Sequence, residues 1–101
     1  MTQITISEVG PRDGLQSVET ILSTEGKLAW IEAEYGAGVR EIEVGSFVSP
    51  KLLPQMADTA AVVKGALRHK DLVIAVLVPN LRGCEAAVEA SAHKISIPLS
   101  L

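Results

Sequence analysis

Gly10-Pro11-Arg12-Asp13-Gly14-Leu15-Gln16 sets a guanidinium, a carboxylate and a side-chain amide a few residues apart. Ahead of them Ile4 and Ile6 alternate with Thr5 and Ser7, the pattern of a short strand. Proline has no N–H for a ladder and a fixed φ, so the strand must stop at Gly10-Pro11. A cation, an anion and an amide presented at a strand end form a site pattern, because loops held by a scaffold carry function. The plainer alternative is a solvated turn with a surface Arg-Asp pair, and such pairs are common and weak. Asp13, as a carboxylate ending a buried strand, is expected to be poorly solvated and to need a cation or strong donors. A hard divalent ion with oxygen ligands, Mg2+ or Mn2+, would satisfy it. A simple salt bridge to Arg12 is the other option, set back by the way adjacent residues on a strand point apart.

The elements that must position these residues can be read in order. Ser23-Thr24 caps a helix whose apolar stripe is Leu28, Ile31 and Tyr35, with Gly36 and Gly38 ending it. Val39 to Gly45 reads as a strand with Ile42 and Val44 on one face and Glu41 and Glu43 on the other. Ser49-Pro50 and Pro54 open a second helix with the stripe Met56, Ala60, Val63 and Leu67. Leu72 to Val78 is a continuous apolar run, as in a strand buried on both faces, and Pro79 stops it. Asn80 caps a third helix carrying Leu81, Cys84 and Val88, and Lys94 to Leu99 follows as a strand with Ile95, Ile97 and Leu99 on one side.

The predicted order is β-α-β-α-β-α-β, and crossovers of this length imply a parallel sheet. The fold class is α/β, a (β/α)8 TIM barrel of which residues 1–101 supply the N-terminal half of a single catalytic domain. Half a barrel would leave parallel edges and one sheet face open to water, so the expectation is the N-terminal part of a longer enzyme. An open four-stranded α/β domain is the structural alternative. Gly36-Ala37-Gly38 precedes a strand, whereas a phosphate-binding turn follows one, so no dinucleotide site is expected there.

In such a barrel the C-terminal strand ends converge on the active site. Those ends carry Arg12, Asp13 and Gln16, then Glu43 and Ser46, then Asn80, then Ser100. Glu43 faces inward and is the candidate to orient Arg12, with a purely structural barrel-layer carboxylate as the alternative. Ser46, Gln16 and Asn80 are candidate substrate contacts, and Glu8 is placed to brace the site from one layer below. Glu41, His69, Lys70, Asp71, His93 and Lys94 fall at the opposite end and read as solvated surface. Cys84 lies on a helix stripe and reads as a small buried hydrophobe.

Gly10-Pro11-Arg12-Asp13-Gly14-Leu15-Gln16 resembles the signature after the first strand of the hydroxymethylglutaryl-CoA lyase family, within the metal-dependent lyase and synthase barrels. The similarity continues through Glu43-Val44-Gly45-Ser46-Phe47-Val48-Ser49-Pro50-Lys51, Pro54-Gln55-Met56 and Pro79-Asn80-Leu81, in the family's order and spacing. Val44-Gly45 departs from the two Thr often found there, which bears on the shape of the acyl pocket.

The resemblance implies a carbon–carbon lyase that splits a 3-hydroxy-3-methylglutaryl-CoA-like substrate into acetyl-CoA and a 3-oxoacid, with a place in leucine catabolism. It implies Asp13 as a ligand of Mg2+ or Mn2+, Arg12 holding the thioester or enolate oxygen, and Glu43 orienting Arg12. The family completes its metal shell with a His-x-His pair and an Asn from later strands. This chain has no His-x-His, and His69 and His93 lie at the wrong end. The family's catalytic cysteine sits on a Gly-rich loop, so Cys84 does not stand in for it. Condensing synthases of the same superfamily are the second enzyme reading, although they usually show Thr-Leu where Gly10-Pro11 precedes Arg12. A non-catalytic half barrel acting through assembly is the third.

Composition bounds the rest. Apolar residues are 48% and charged residues 21%, a globular balance. With aromatics at 3%, the core must come from Ala, Val, Ile and Leu, which suits buried parallel strands. A net charge of −3 and no Lys/Arg cluster argue against a nucleic-acid partner. The apolar runs are too short for a membrane span. One cysteine and a first strand close to Met1 suit a cytoplasmic protein without a leader. The expected partners are an acyl-CoA substrate and the remainder of the same barrel, with a homo-oligomer possible.

Overall fold

A computed structural model describes residues 4–17 and 20–98. Helix α1, Thr24–Gly36, starts where Ser23 Oγ accepts the Gly26 N–H at 3.0 Å, satisfying one of the orphan donors of the first turn. Past its end Gly38 takes φ 104°, a conformation glycine adopts without steric cost, and turns the chain into strand β1, Glu41–Ser46. A 3-10 turn at Pro54–Met56 precedes helix α2, Thr59–Ala66. Strand β2, Val73–Leu77, helix α3, Leu81–Glu89, and strand β3, Lys94–Ser96, complete the described elements. The strands lie parallel in the order β1-β2-β3, the strand-helix-strand pattern of a partial barrel.

Ile42 and Val44 of β1, Ile74 and Val76 of β2, Ile31 of α1, Val62, Val63 and Ala66 of α2, and Ala87 of α3 form one core with Leu72 and Val78. None of the described helices is long and apolar enough to cross a membrane.

Several sequence expectations are corrected. The first strand is reduced to one parallel bridge between Glu8 and Ile42, in which Glu8 N donates to Glu41 O and Glu43 N donates to Glu8 O. Residues 4–7 have no ladder, and Ile4 and Ile6 are exposed because no described element covers them. On α2 the buried face is Thr59, Val62, Val63 and Ala66, while Ala60 is exposed. The helix begins at Thr59 and not at Pro54, so its stripe is phased differently. On α3 the buried residues are Gly83 and Ala87, and Leu81 and Val88 face solvent. A Cβ on Gly83 would lie 2.7 Å from the Phe47 carbonyl oxygen, so the helix approaches the sheet through its smallest side chains. Ile97 is exposed beyond the end of β3, and Leu99 and Ser100 lie outside the described residues. Glu41 is buried, with Lys94 Nζ 3.1 Å from its carboxylate, so it is a paired group in the sheet and not solvated surface.

Candidate active site

The Leu15 N–H donates to the Gly10 carbonyl five residues back, which closes a single π turn over Gly10–Gly14, and Val9 O accepts the Asp13 N–H at 2.6 Å and the Arg12 N–H at 3.1 Å at its start. Such turns recur at functional positions because they bulge side chains out of the regular path. Glu8 Oε1 accepts the Gly10 N–H at 2.8 Å, so Glu8 ties down the start of the turn as expected of a brace. The Trp30 indole lies under the turn, so close that a Cβ on Gly10 would stand 3.0 Å from it.

Arg12 Nε donates to Glu43 Oε1 at 2.5 Å, with the two side chains only 17% and 8% exposed. This charge-assisted bond spans from the turn to β1 and fixes the guanidinium plane. Arg12 Nη1 lies 3.3 Å from Asp13 Oδ1, and the Asp13 side chain is 64% exposed. Two expectations about Asp13 are therefore corrected. Its carboxylate is solvated at the rim, and it points toward Arg12 because a π turn, unlike a strand, does not send neighbours to opposite faces.

A β-bulge sets the other half of the site. Glu43 pairs with Ala75 and Gly45 with Val76, so Val44 is the extra residue of β1. One extra residue reverses the alternation, and Ser46 comes onto the Glu43 face while Gly45 turns toward α2. Ser46 Oγ then reaches Gln16 Oε1 at 3.2 Å, and Gln55 Nε2 donates to the Gln16 carbonyl at 3.1 Å. Ser46 and Asn80 share a cleft of about 350 Å3 with Phe47, Ser49, Pro50 and Arg82. Asn80 Oδ1 accepts the Gly83 N–H at 2.9 Å as the cap of α3, so that residue forms a wall of the cleft and holds a helix end.

The structure thus brings Arg12 to Glu43 and Asp13, and Gln16 to Ser46, with Asn80 across the adjoining cleft. His69 pairs with Glu32 at 2.6 Å and stacks on Tyr35, and His93 Nδ1 accepts the Ile74 N–H at 3.0 Å. Cys84 is half-buried against the core. No group of three or more His, Cys, Asp or Glu among the described residues could hold a metal ion. An exposed carboxylate fixed at a strand end nevertheless has the oxygen chemistry for one position in the shell of a hard cation.

Sequence reasoning missed Trp30, Lys27, Gln55 and Thr59. A signal existed for Lys27, which precedes Ile31 by one helical turn on the apolar stripe of α1 and is 1% exposed.

The HMGL-like family pattern matches residues 3–100. Mitochondrial hydroxymethylglutaryl-CoA lyase of Macaca fascicularis is 52% identical over 95 residues, 94% of this chain and 29% of the relative. Hydroxymethylglutaryl-CoA lyase YngG of Bacillus subtilis is 43% identical over 98 residues, 97% of this chain and 33% of the relative. Among solved structures, an HMG-CoA lyase of Bacillus subtilis superposes with a TM-score of 0.86 at 43% identity, covering 94% of this chain and 32% of that one. The HMG-CoA lyase of Acinetobacter baumannii, in complex with coenzyme A and 3-methylmalate, gives 0.86 at 42% identity, covering 96% and 33%. The chain spans about a third of the length of the curated relatives it matches. Over almost all of its own residues, from the first bridge to the last strand, the chain belongs to the HMGL-like family.

Proposed function

We propose that this chain is the N-terminal part of a divalent-metal-dependent barrel lyase that cleaves 3-hydroxy-3-methylglutaryl-CoA, or a close 3-hydroxyacyl-CoA, to acetyl-CoA and a 3-oxoacid. The observation that carries the reading is the Arg12–Glu43 pair, a nearly buried guanidinium held at the strand ends where barrel chemistry sits. The reaction is a retro-Claisen cleavage. The 3-hydroxyl loses its proton, the C2–C3 bond breaks, and C3 becomes the carbonyl of the 3-oxoacid. The bonding electrons move to C2 and onto the thioester oxygen, and protonation of C2 gives acetyl-CoA.

Arg12 stabilises the charge that grows on the thioester oxygen. Glu43 holds Nε, which leaves the outer edge beside Asp13 to face substrate. A donor fixed in advance favours the transition state over the ground state. Ser46 and Asn80 on the cleft, with Gln16 bonded to Ser46, are the residues assigned to contact the acyl-CoA, and that an HMG-CoA lyase relative is in complex with coenzyme A supports a substrate of this class. Asp13 would supply one oxygen ligand to Mg2+ or Mn2+, and the ion when bound would supply Lewis-acid polarisation of the substrate's oxygens. The other ligands and the proton-transfer groups are assigned to the rest of the barrel.

The test is turnover of 3-hydroxy-3-methylglutaryl-CoA by the complete lyase containing this chain, with and without Mg2+. Metal-dependent release of acetyl-CoA is expected, and its absence in folded protein overturns the reading.

A further inference from the structure

Lys27 is a basic side chain left only 1% exposed, and nothing in the proposed chemistry uses it. Its Nζ donates to the Gln55 backbone carbonyl and lies 2.5 Å from Asp58 Oδ1. Asp58 Oδ2 in turn accepts the Thr24 hydroxyl at 2.6 Å. Burying an ion pair is a poor source of stability, because desolvation consumes much of the attraction. What such a pair does well is hold two elements in one arrangement. Here the elements are α1 and the 3-10 turn Pro54–Met56, and the turn carries the side chain that reaches the site. Gln55 Nε2 donates to the Gln16 carbonyl, and Gln16 Oε1 receives the Ser46 hydroxyl.

We propose that Lys27 is a positioning residue, acting through Gln55 to hold Gln16 and Ser46 in the geometry that binds the acyl-CoA. The proposal rests on the lyase reading above. It assigns the relay to substrate binding and not to the Arg12–Glu43 pair, which is held by its own direct bond. Uniform binding groups act on KM and leave kcat in place.

The experiment uses the complete lyase with Lys27→Met, Gln55→Met and the double variant. Gln55→Met keeps the chain length and removes the donor to Gln16, and it leaves the Lys27–Asp58 pair in place should Lys27→Met fail to fold. KM for the acyl-CoA should rise roughly five- to tenfold, the worth of about one hydrogen bond, with kcat within about twofold of the parent. The double variant should raise KM no further than the larger single effect, because both changes cut one path. A lowered melting temperature with KM unchanged, or a KM effect in Gln55→Met that simply multiplies with that of Lys27→Met, overturns the relay. A parent enzyme that neither binds nor cleaves the acyl-CoA overturns the lyase reading itself, and the relay with it.

Discussion

Gly45 packs against Thr59 so closely that a methyl group in its place would stand 2.6 Å from the Thr59 hydroxyl oxygen and 2.8 Å from its methyl carbon. The contact follows from the bulge at Val44, which turns Gly45 toward α2 and Ser46 toward Gln16. Thr59 Oγ1 also lies 2.9 Å from the Ser46 carbonyl and 2.8 Å from that of Met56, so the side chain cannot swing aside without loosening the strand end. Gly45→Ala should therefore destabilise the protein by about 1–3 kcal/mol, the usual cost of overpacking a filled core. Chemical denaturation of the complete protein measures this. A variant as stable as the parent would show that the bulge can yield.

How far this site can be read from sequence depends on what sets each part. The helix caps Ser23 and Asn80 and the inward Glu43 follow from local chemistry, and each stands where the sequence puts it. The bulge does not, because Val44 looks like any apolar residue of an alternating strand until β2 pairs beside it. Exposure of Asp13 was also hidden, since the strand stop at Gly10-Pro11 does not say that the chain beyond it winds into a π turn. The face of α3 was misjudged because Leu81 and Val88 look more apolar than Gly83 and Ala87, and close backbone approach decided otherwise.

Glu34 gives a prediction on pH. Its Oε1 accepts the Trp30 indole N–H at 2.7 Å, while its buried Oε2 has no hydrogen-bond partner among the described residues. Desolvation raises its pKa above the usual carboxylate value, with the nearby charge of Glu8 adding to the rise. An acid raised in the folded state supports folding while protonated, and that support is lost as pH rises through its folded pKa. Glu34→Gln keeps an acceptor for Trp30 and removes the charge. It should raise the melting temperature at pH 7–8 relative to the parent, with the gain fading in acid below the usual carboxylate range. An equal shift at every pH would remove ionisation of Glu34 as the cause.

Two residues earlier on α1, Glu32 behaves in the other sense. Its pKa is lowered, first by the hydrogen bond from Arg68 and then by that from His69. A depressed carboxylate contributes stability above its unfolded pKa and loses it as pH falls through the folded value. Glu32→Gln should therefore flatten the acid limb of the stability profile below the usual carboxylate range and change little that depends on Glu34. Melting curves across pH read both effects. An unaltered acid limb would show that the exposed pair contributes nothing measurable, as many surface pairs do.

Asp13 is testable by binding alone. Asp13→Asn keeps the shape of the side chain and an oxygen, and removes the charge that a hard cation needs. In the complete lyase, affinity for Mg2+ or Mn2+ measured by calorimetry should fall together with turnover, and excess metal should restore part of the activity. The Arg12–Glu43 bond does not pass through Asp13, so the fold of the site should survive the change. Unchanged ion affinity would take Asp13 out of the metal shell.

Arg12 stands beside Asp13 yet is assigned a different task, and one substitution separates the two. Arg12→Lys keeps the positive charge and loses the planar fork. A lysine ammonium is a compact point charge, so holding the Glu43 carboxylate leaves it no second edge for the thioester oxygen. Metal affinity should stay near that of the parent, because the cation that neighbours Asp13 is still present. Turnover should fall by at least about 10²–10³, the usual consequence of losing one fixed oxyanion donor. If Arg12 served only to balance Glu43 and Asp13, the lysine would replace it well, and any change would fall on KM with kcat preserved. Steady-state kinetics on this variant, paired with a metal titration, distinguish the two roles, and an effect confined to KM would remove Arg12 from the stabilisation of the enolate.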